Sequence, residues 1–161
     1  MDRTESGALQ RPAALTTHRL IALDTSVLVY FLEGHPLVGG AAEWVLRAVQ
    51  DGPAEALLSS VALMELLVRP LADGRPDVAD EHEASLRRVP HLRVVPFNGD
   101  AHRRAADLRA KYGLWPPDAL LMGSALAEGA TAYVTNDARL RAVDELAVLL
   151  LSDFVPKDSV R

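Results

Sequence analysis

Five short, mostly apolar runs punctuate the chain at residues 20–23, 56–58, 92–95, 131–134 and 146–151, and each is separated from the next by at least one stretch of helical character. Runs like these, apolar without strict alternation, belong to strands covered on both faces. Parallel pairing needs a long crossover, which a helix supplies. The order strand, helix, strand therefore restricts the chain to an α/β fold: three layers, α/β/α, around a central parallel sheet of four to five strands.

The helical stretches are bounded by recognisable signals. Thr25 and Ser26 can cap a helix over 27–32, and Ala41, Trp44, Val45 and Ala48 keep helical spacing until Asp51-Gly52-Pro53. Ser59 or Ser60 would cap a helix reaching Val68, with Pro70 and Asp73-Gly74 marking its end. A charged segment over 77–88 reads as an exposed helix and 101–111 as an amphipathic one. Pro116-Pro117 open another that runs to Glu128, proline being tolerated in a first turn. A short helix over 138–143 leads to the fifth run. Residues 1–19 read as a flexible leader, 20–155 as one domain and 156–161 as a tail.

Composition removes several function classes. With no cysteine there is no disulfide, thiolate metal site or cysteine nucleophile, and no stretch offers the roughly 18 uninterrupted apolar residues of a membrane span, so a soluble, cytoplasmic protein is expected. A net charge of −5 argues against a general nucleic-acid coat, which draws its affinity from Lys and Arg at phosphates. An enzyme whose acids are neutralised by bound cations remains compatible. Aromatic residues make up 5%, too few for a base-stacking platform, and Trp44 and Trp115 are read as core or interface. His35, His82, His91 and His102 show no metal-ligand spacing.

Four acids stand where acids are costly. Asp24 is the one charged residue between Arg19 and Glu33, Glu65 the one within 57–68, Asp118 the one between Lys111 and Glu128, and Asp137 the one between Glu128 and Arg139. Each lies in a segment marked for burial, where an ionised carboxylate must be paired, hydrogen-bonded or metal-bound. Asp24 and Asp137 follow strands, Asp118 opens a helix, and Glu65 lies one to two turns into the helix after the second strand. All four can meet at the carboxyl edge of the sheet, where parallel α/β folds bind ligands. Taken singly, Asp24 and Asp137 are also ordinary helix caps or turn formers, and Asp118 an ordinary charge at a helix start. Glu65 is the least ordinary, with Arg69 its one local partner. Together they suit a hard divalent cation, Mg²⁺ or Mn²⁺.

At these residues the chain resembles the PIN-domain nucleases. Leu23-Asp24-Thr25-Ser26-Val27-Leu28 resembles their opening motif, and Ser59-Ser60-Val61-Ala62-Leu63-Met64-Glu65-Leu66 the second. Pro117-Asp118-Ala119-Leu120-Leu121-Met122-Gly123-Ser124-Ala125-Leu126 resembles the third, and Tyr133-Val134-Thr135-Asn136-Asp137 the fourth. The resemblance covers residues 20–153 and is similar at this size to the VapC toxins of toxin-antitoxin pairs. It implies an Mg²⁺- or Mn²⁺-dependent endoribonuclease with Asp24, Glu65, Asp118 and Asp137 as catalytic and metal-binding residues, Ser26 and Thr135 in support, RNA as substrate, a cognate antitoxin and a homodimer. Many relatives carry a further acid where this chain has Arg139, which puts a fifth ligand in doubt.

Other readings stand beside it. A haloacid-dehalogenase-like phosphatase also opens on a strand-terminal Asp, but wants a second Asp where this chain has Ser26. A receiver domain needs a lysine near its acids, and neither Lys111 nor Lys157 is suitably placed. A stand-alone RNA-processing nuclease and an inactive PIN-like binding module remain open.

Overall fold

The computed structural model describes residues 11–154, with side chains from residue 14. The five strands are β1 (Leu20–Leu23), β2 (Glu55–Ser59), β3 (Leu92–Val95), β4 (Ala132–Thr135) and β5 (Ala147–Leu150), and they form one sheet in the order β3-β2-β1-β4-β5. Every pairing is parallel, with Ile21 opposite both Ala56 and Ala132 in the centre. The expected three-layer α/β fold is what forms. Because β1 is followed by β2 on one side and joined by β4 on the other, the strand order reverses between β1 and β4. A crevice opens there at the carboxyl edge.

The helices among the described residues are α1 (Arg11–Thr16), α2 (Thr25–Glu33), α3 (Gly39–Asp51), α4 (Ser60–Ala72), α5 (Pro76–Arg87), α6 (Ala101–Tyr112) and α7 (Pro116–Ala127). Short 3₁₀ helices follow at Ala138–Ala142 and Leu151–Phe154, the first where a short helix is expected. None of the described helices is long and apolar enough to cross a membrane. The three inner strands are buried almost throughout, which is why their sequences carry no alternation: helices cover both faces.

Two expectations change. Part of the stretch read as a leader is packed: α1 lies in it, and Leu15 is buried in the core. Residues 1–10, and the tail from 155 on, lie outside the described residues. Pro70, expected to end its helix, sits inside α4. Its ring lies on the buried stripe with Ala62, Leu63 and Leu66, and the helix closes downstream through Asp73 N donating to Arg69 O and Arg75 N to Pro70 O. One lost backbone bond is offset by burial of the ring.

Helix α7 is enclosed between the sheet and α6, with Ala119, Leu121, Met122, Ser124 and Ala125 buried. Gly123 allows the close approach: a Cβ there would lie 2.7 Å from both Ala101 O and Ala105 N. Because α7 leads directly into β4, its first turn lies at the carboxyl edge. Asp118 is in that turn.

Candidate active site

Asp24 ends β1 and occupies the N-cap of α2, yet its carboxylate makes no capping bond. It is 8% exposed, and instead Oδ2 accepts from Thr135 Oγ1 at 2.6 Å and from Ser26 Oγ at 3.0 Å. The ordinary reading of this aspartate as a helix cap is therefore set aside by geometry. Both hydroxyls are held in turn: Thr135 Oγ1 accepts from Asp137 N at 3.1 Å, and Ser26 Oγ from Asn136 N at 3.3 Å. A network of this kind fixes the carboxylate's rotamer and offsets its desolvation. Ser26 and Thr135, expected as supporting donors, both reach it.

Glu65 projects from the second turn of α4, half-buried, and its Oε2 accepts from Thr25 Oγ1 at 2.6 Å. Arg69, its one local candidate partner, turns away to pair with Asp73. Glu65 is thus tied to the residue beside Asp24 rather than neutralised by an arginine. The sequence marks Thr25 only as a helix cap and motif neighbour of Asp24, because its partner here lies 40 residues on.

Asp118 is half-buried and its carboxyl is pushed above the ordinary aspartate value. Desolvation is the first cause, and the negative charges of Asp24, Asp137 and, more weakly, Glu65 add to it, with Arg139 opposing. Asp118 is thus the acid on which the charges of the other three converge. A further buried group meets the same field. Tyr133 is fully buried on β4, and the ionisation of its hydroxyl is driven well up by burial and then by Asp24 and Asp118.

Asp137 is differently placed. Its carboxylate caps the 3₁₀ turn through Arg139 N at 2.9 Å and receives the Arg139 side chain on both oxygens, Nε lying 3.0 and 3.1 Å away. This holds its carboxyl below the ordinary value, the guanidinium hydrogen bond being the main cause. For this residue the capping role expected of a strand-terminal Asp is present. Arg139 thus supplies a cation at this edge of the sheet.

No three His, Asp or Glu side chains among the described residues are spaced to enclose a metal ion as they stand. The donor set still fits a divalent cation in kind. It is all oxygen, and Asp118 is raised by burial and then by its acidic neighbours, a combination that a bound cation would relieve. Asp137 is at present engaged by Arg139.

Beside this centre a cleft of about 430 Å³ runs between α2, α4 and α5, with Glu65 on its wall and Val29, Leu32, Leu66, Pro70 and Val78 along it. Trp44 packs on Phe154 as expected of a core aromatic, whereas Trp115, read as core or interface, is 70% exposed.

A family model for the PIN domain matches residues 21–146. Among solved structures the chain is similar to VapBC2 of Rickettsia felis bound to a promoter DNA fragment, with TM-score 0.65 at 20% identity over 81% of this chain and 98% of that one. It is similar to VapC20 of Mycobacterium tuberculosis, described as a sarcin-ricin loop cleaving toxin, with TM-score 0.54 at 18% identity over 70% and 86%. VapBC-5 of the same organism, from a toxin-antitoxin system, gives 0.54 at 26% over 82% and 97%. A curated relative, porphobilinogen deaminase 2 of Streptomyces coelicolor, is 35% identical over 53% of this chain, which spans 33% of that protein's length.

Proposed function

Because the chain belongs to the PIN domain family, whose nucleases generally use divalent metal ions, we propose that it is an Mg²⁺- or Mn²⁺-dependent endoribonuclease and the toxin of a toxin-antitoxin pair. The observation that carries this reading is Asp24: a buried carboxylate at a helix N-cap that caps nothing and is held on one oxygen by Ser26 and Thr135. The neighbouring toxin-antitoxin structures support the partner assignment.

In this reading Asp24, Asp118 and Asp137 would hold the metal, with Glu65 bound directly or through water. A divalent ion there would supply an activated water and neutralise charge at the leaving oxygen of an RNA phosphodiester. The chain's own residues supply position. Thr135 and Ser26 orient Asp24 so that Oδ1 is left to the site, and Thr25 holds Glu65 beside it. Arg139, which lies on Asp137, carries an exposed guanidinium fork of the kind that suits a substrate phosphate.

Two assembly features accompany the reading. The part-apolar cleft beside Glu65 offers a place for an antitoxin segment to lie against the site. Met64, Val68 and Leu71, all more than half exposed at helical spacing on α4, make an apolar stripe suited to a homodimer.

The test uses the full chain with labelled RNA and Mn²⁺. Cleavage is expected, chelator should stop it, and Asp118→Asn should abolish it while the melting transition remains cooperative. Cleavage surviving both treatments refutes the carboxylate-metal mechanism. A small protein encoded beside this chain that binds it and stops cleavage identifies a toxin; activity without such an inhibitor identifies the stand-alone nuclease.

A further inference from the structure

Trp115 is the residue of the site region that neither the fold nor the carboxylate chemistry explains. It is 70% exposed, and among the described residues its ring stacks on no other aromatic and its indole N–H has no hydrogen-bond partner. Tryptophan normally buries most of its large ring, so leaving it in solvent forgoes a considerable apolar contribution. Helix formation does not account for it. Trp115 is the N-cap of α7 and makes no side-chain capping bond, at a position where Ser, Thr, Asp or Asn would serve better.

Its location is specific. Asp118 lies at N3 of the same helix, so Trp115 and Asp118 are carried on the same first turn of α7. Pro116 and Pro117 fix the intervening backbone, and Trp115 has the extended conformation, φ −61° and ψ 147°, that a following proline favours. The indole is thus carried within one helical turn of Asp118 on a stiff support, which limits the freedom lost when a ligand covers it. On another side of Asp118 stands the Arg139 side chain, which acts electrostatically on Asp118 and is 76% exposed. An exposed aromatic face, a carboxylate centre and an exposed guanidinium together match the parts of one nucleotide: base, scissile phosphate and adjoining phosphate.

We infer that Trp115 is the base-stacking residue of this site, taking the face of one unpaired nucleobase next to the phosphate to be cleaved. The inference rests on the nuclease reading above and makes it more specific. Stacking requires a base free of its partner, so loops and single strands are bound and continuous duplex is not. It also answers the charge problem. A chain with net charge −5 and a cluster of acids at its site gains little from counterion release, whereas stacking draws on no net charge. The low aromatic content argued against an extended platform, and one indole in the right place is sufficient for one base.

The experiment compares wild type, Trp115→Ala and Trp115→Phe for Mn²⁺-dependent cleavage of a single-stranded oligoribonucleotide, with melting curves for each. Trp115→Ala is expected to raise KM by roughly 5- to 150-fold, the range corresponding to loss of one base stack, with kcat nearly unchanged and no fall in melting temperature. Trp115→Phe should recover most of the loss. As an independent readout, Trp115 fluorescence in a Trp44→Phe, Asp118→Asn background should be quenched by the single strand and not by the same sequence in duplex. Wild type that cleaves while Trp115→Ala keeps its KM overturns the inference and leaves the nuclease reading standing. Loss of antitoxin binding with unchanged KM overturns it equally and assigns Trp115 to a protein interface. Wild type that neither cleaves nor binds RNA removes both.

Discussion

Gly123→Ala tests whether the α6–α7 packing that places Asp118 is as close as it stands. The added Cβ would lie 2.7 Å from Ala101 O, 2.7 Å from Ala105 N and 2.9 Å from Ala105 Cβ, whereas ordinary contact begins at 3.4 Å. Helix α6 would have to retreat by about 0.7 Å, and two of the three obstacles are backbone, which cannot rotate aside. Overpacking of this kind costs about 1–3 kcal/mol, and backbone obstruction places this case at the top of the range. Replacing a mid-helix glycine by alanine returns about 1 kcal/mol of helix propensity. The net expectation is a loss of about 2 kcal/mol, or a melting temperature lower by about 4–8 °C for a chain of this size. Thermal and urea unfolding in chelator would measure it, with an unchanged urea slope showing that the denatured state is not responsible. A variant as stable as wild type, or more so, would show that propensity outweighs packing and refute the close approach. Because Asp118 lies on the same helix, cleavage should fall as well.

Other perturbations address the carboxylates. Thr135→Val removes the 2.6 Å hydrogen bond to buried Asp24 and the acceptor for Asp137 N, and should lower stability by about 1–3 kcal/mol, read from the urea midpoint; an unmoved midpoint would contradict the network. Asp118 titrates above its ordinary value of 3.8, so the native state keeps this proton longer than the unfolded chain, and ionising it subtracts stability as pH rises from that value through the raised one. In chelator, Asp118→Asn should therefore melt higher than wild type at pH 7, the difference closing as pH falls below the ordinary carboxylate range. A variant less stable than wild type at pH 7 would show that the carboxylate is compensated in some other way.

The strands were legible from the sequence because burial on both faces leaves a local mark: short apolar runs without alternation. The parallel arrangement followed from the helices between them. Prolines were less informative. Pro116 and Pro117 opened α7 as read, but Pro70 sits within α4, because whether a proline ends a helix depends on what its ring packs against. The packing of Leu15 likewise left no periodic signal in so short a helix.

The candidate acids were also marked in the sequence, each as the lone charge in an apolar segment, since desolvating a carboxylate is costly whatever the fold. What the sequence alone could not do was rank them. Tertiary structure separates Asp24, which sits at a cap position without capping, from Asp137, which caps and is covered by Arg139. It also couples Thr25 to Glu65 and Thr135 to Asp24, across 40 and 111 residues, and leaves Trp115 in solvent within one helical turn of Asp118. Burial preference is a property of each residue and its neighbours along the chain. Which oxygen meets which hydroxyl, and which ring meets nothing, is set by strand order and helix packing, and those distances exist only once the sheet has formed.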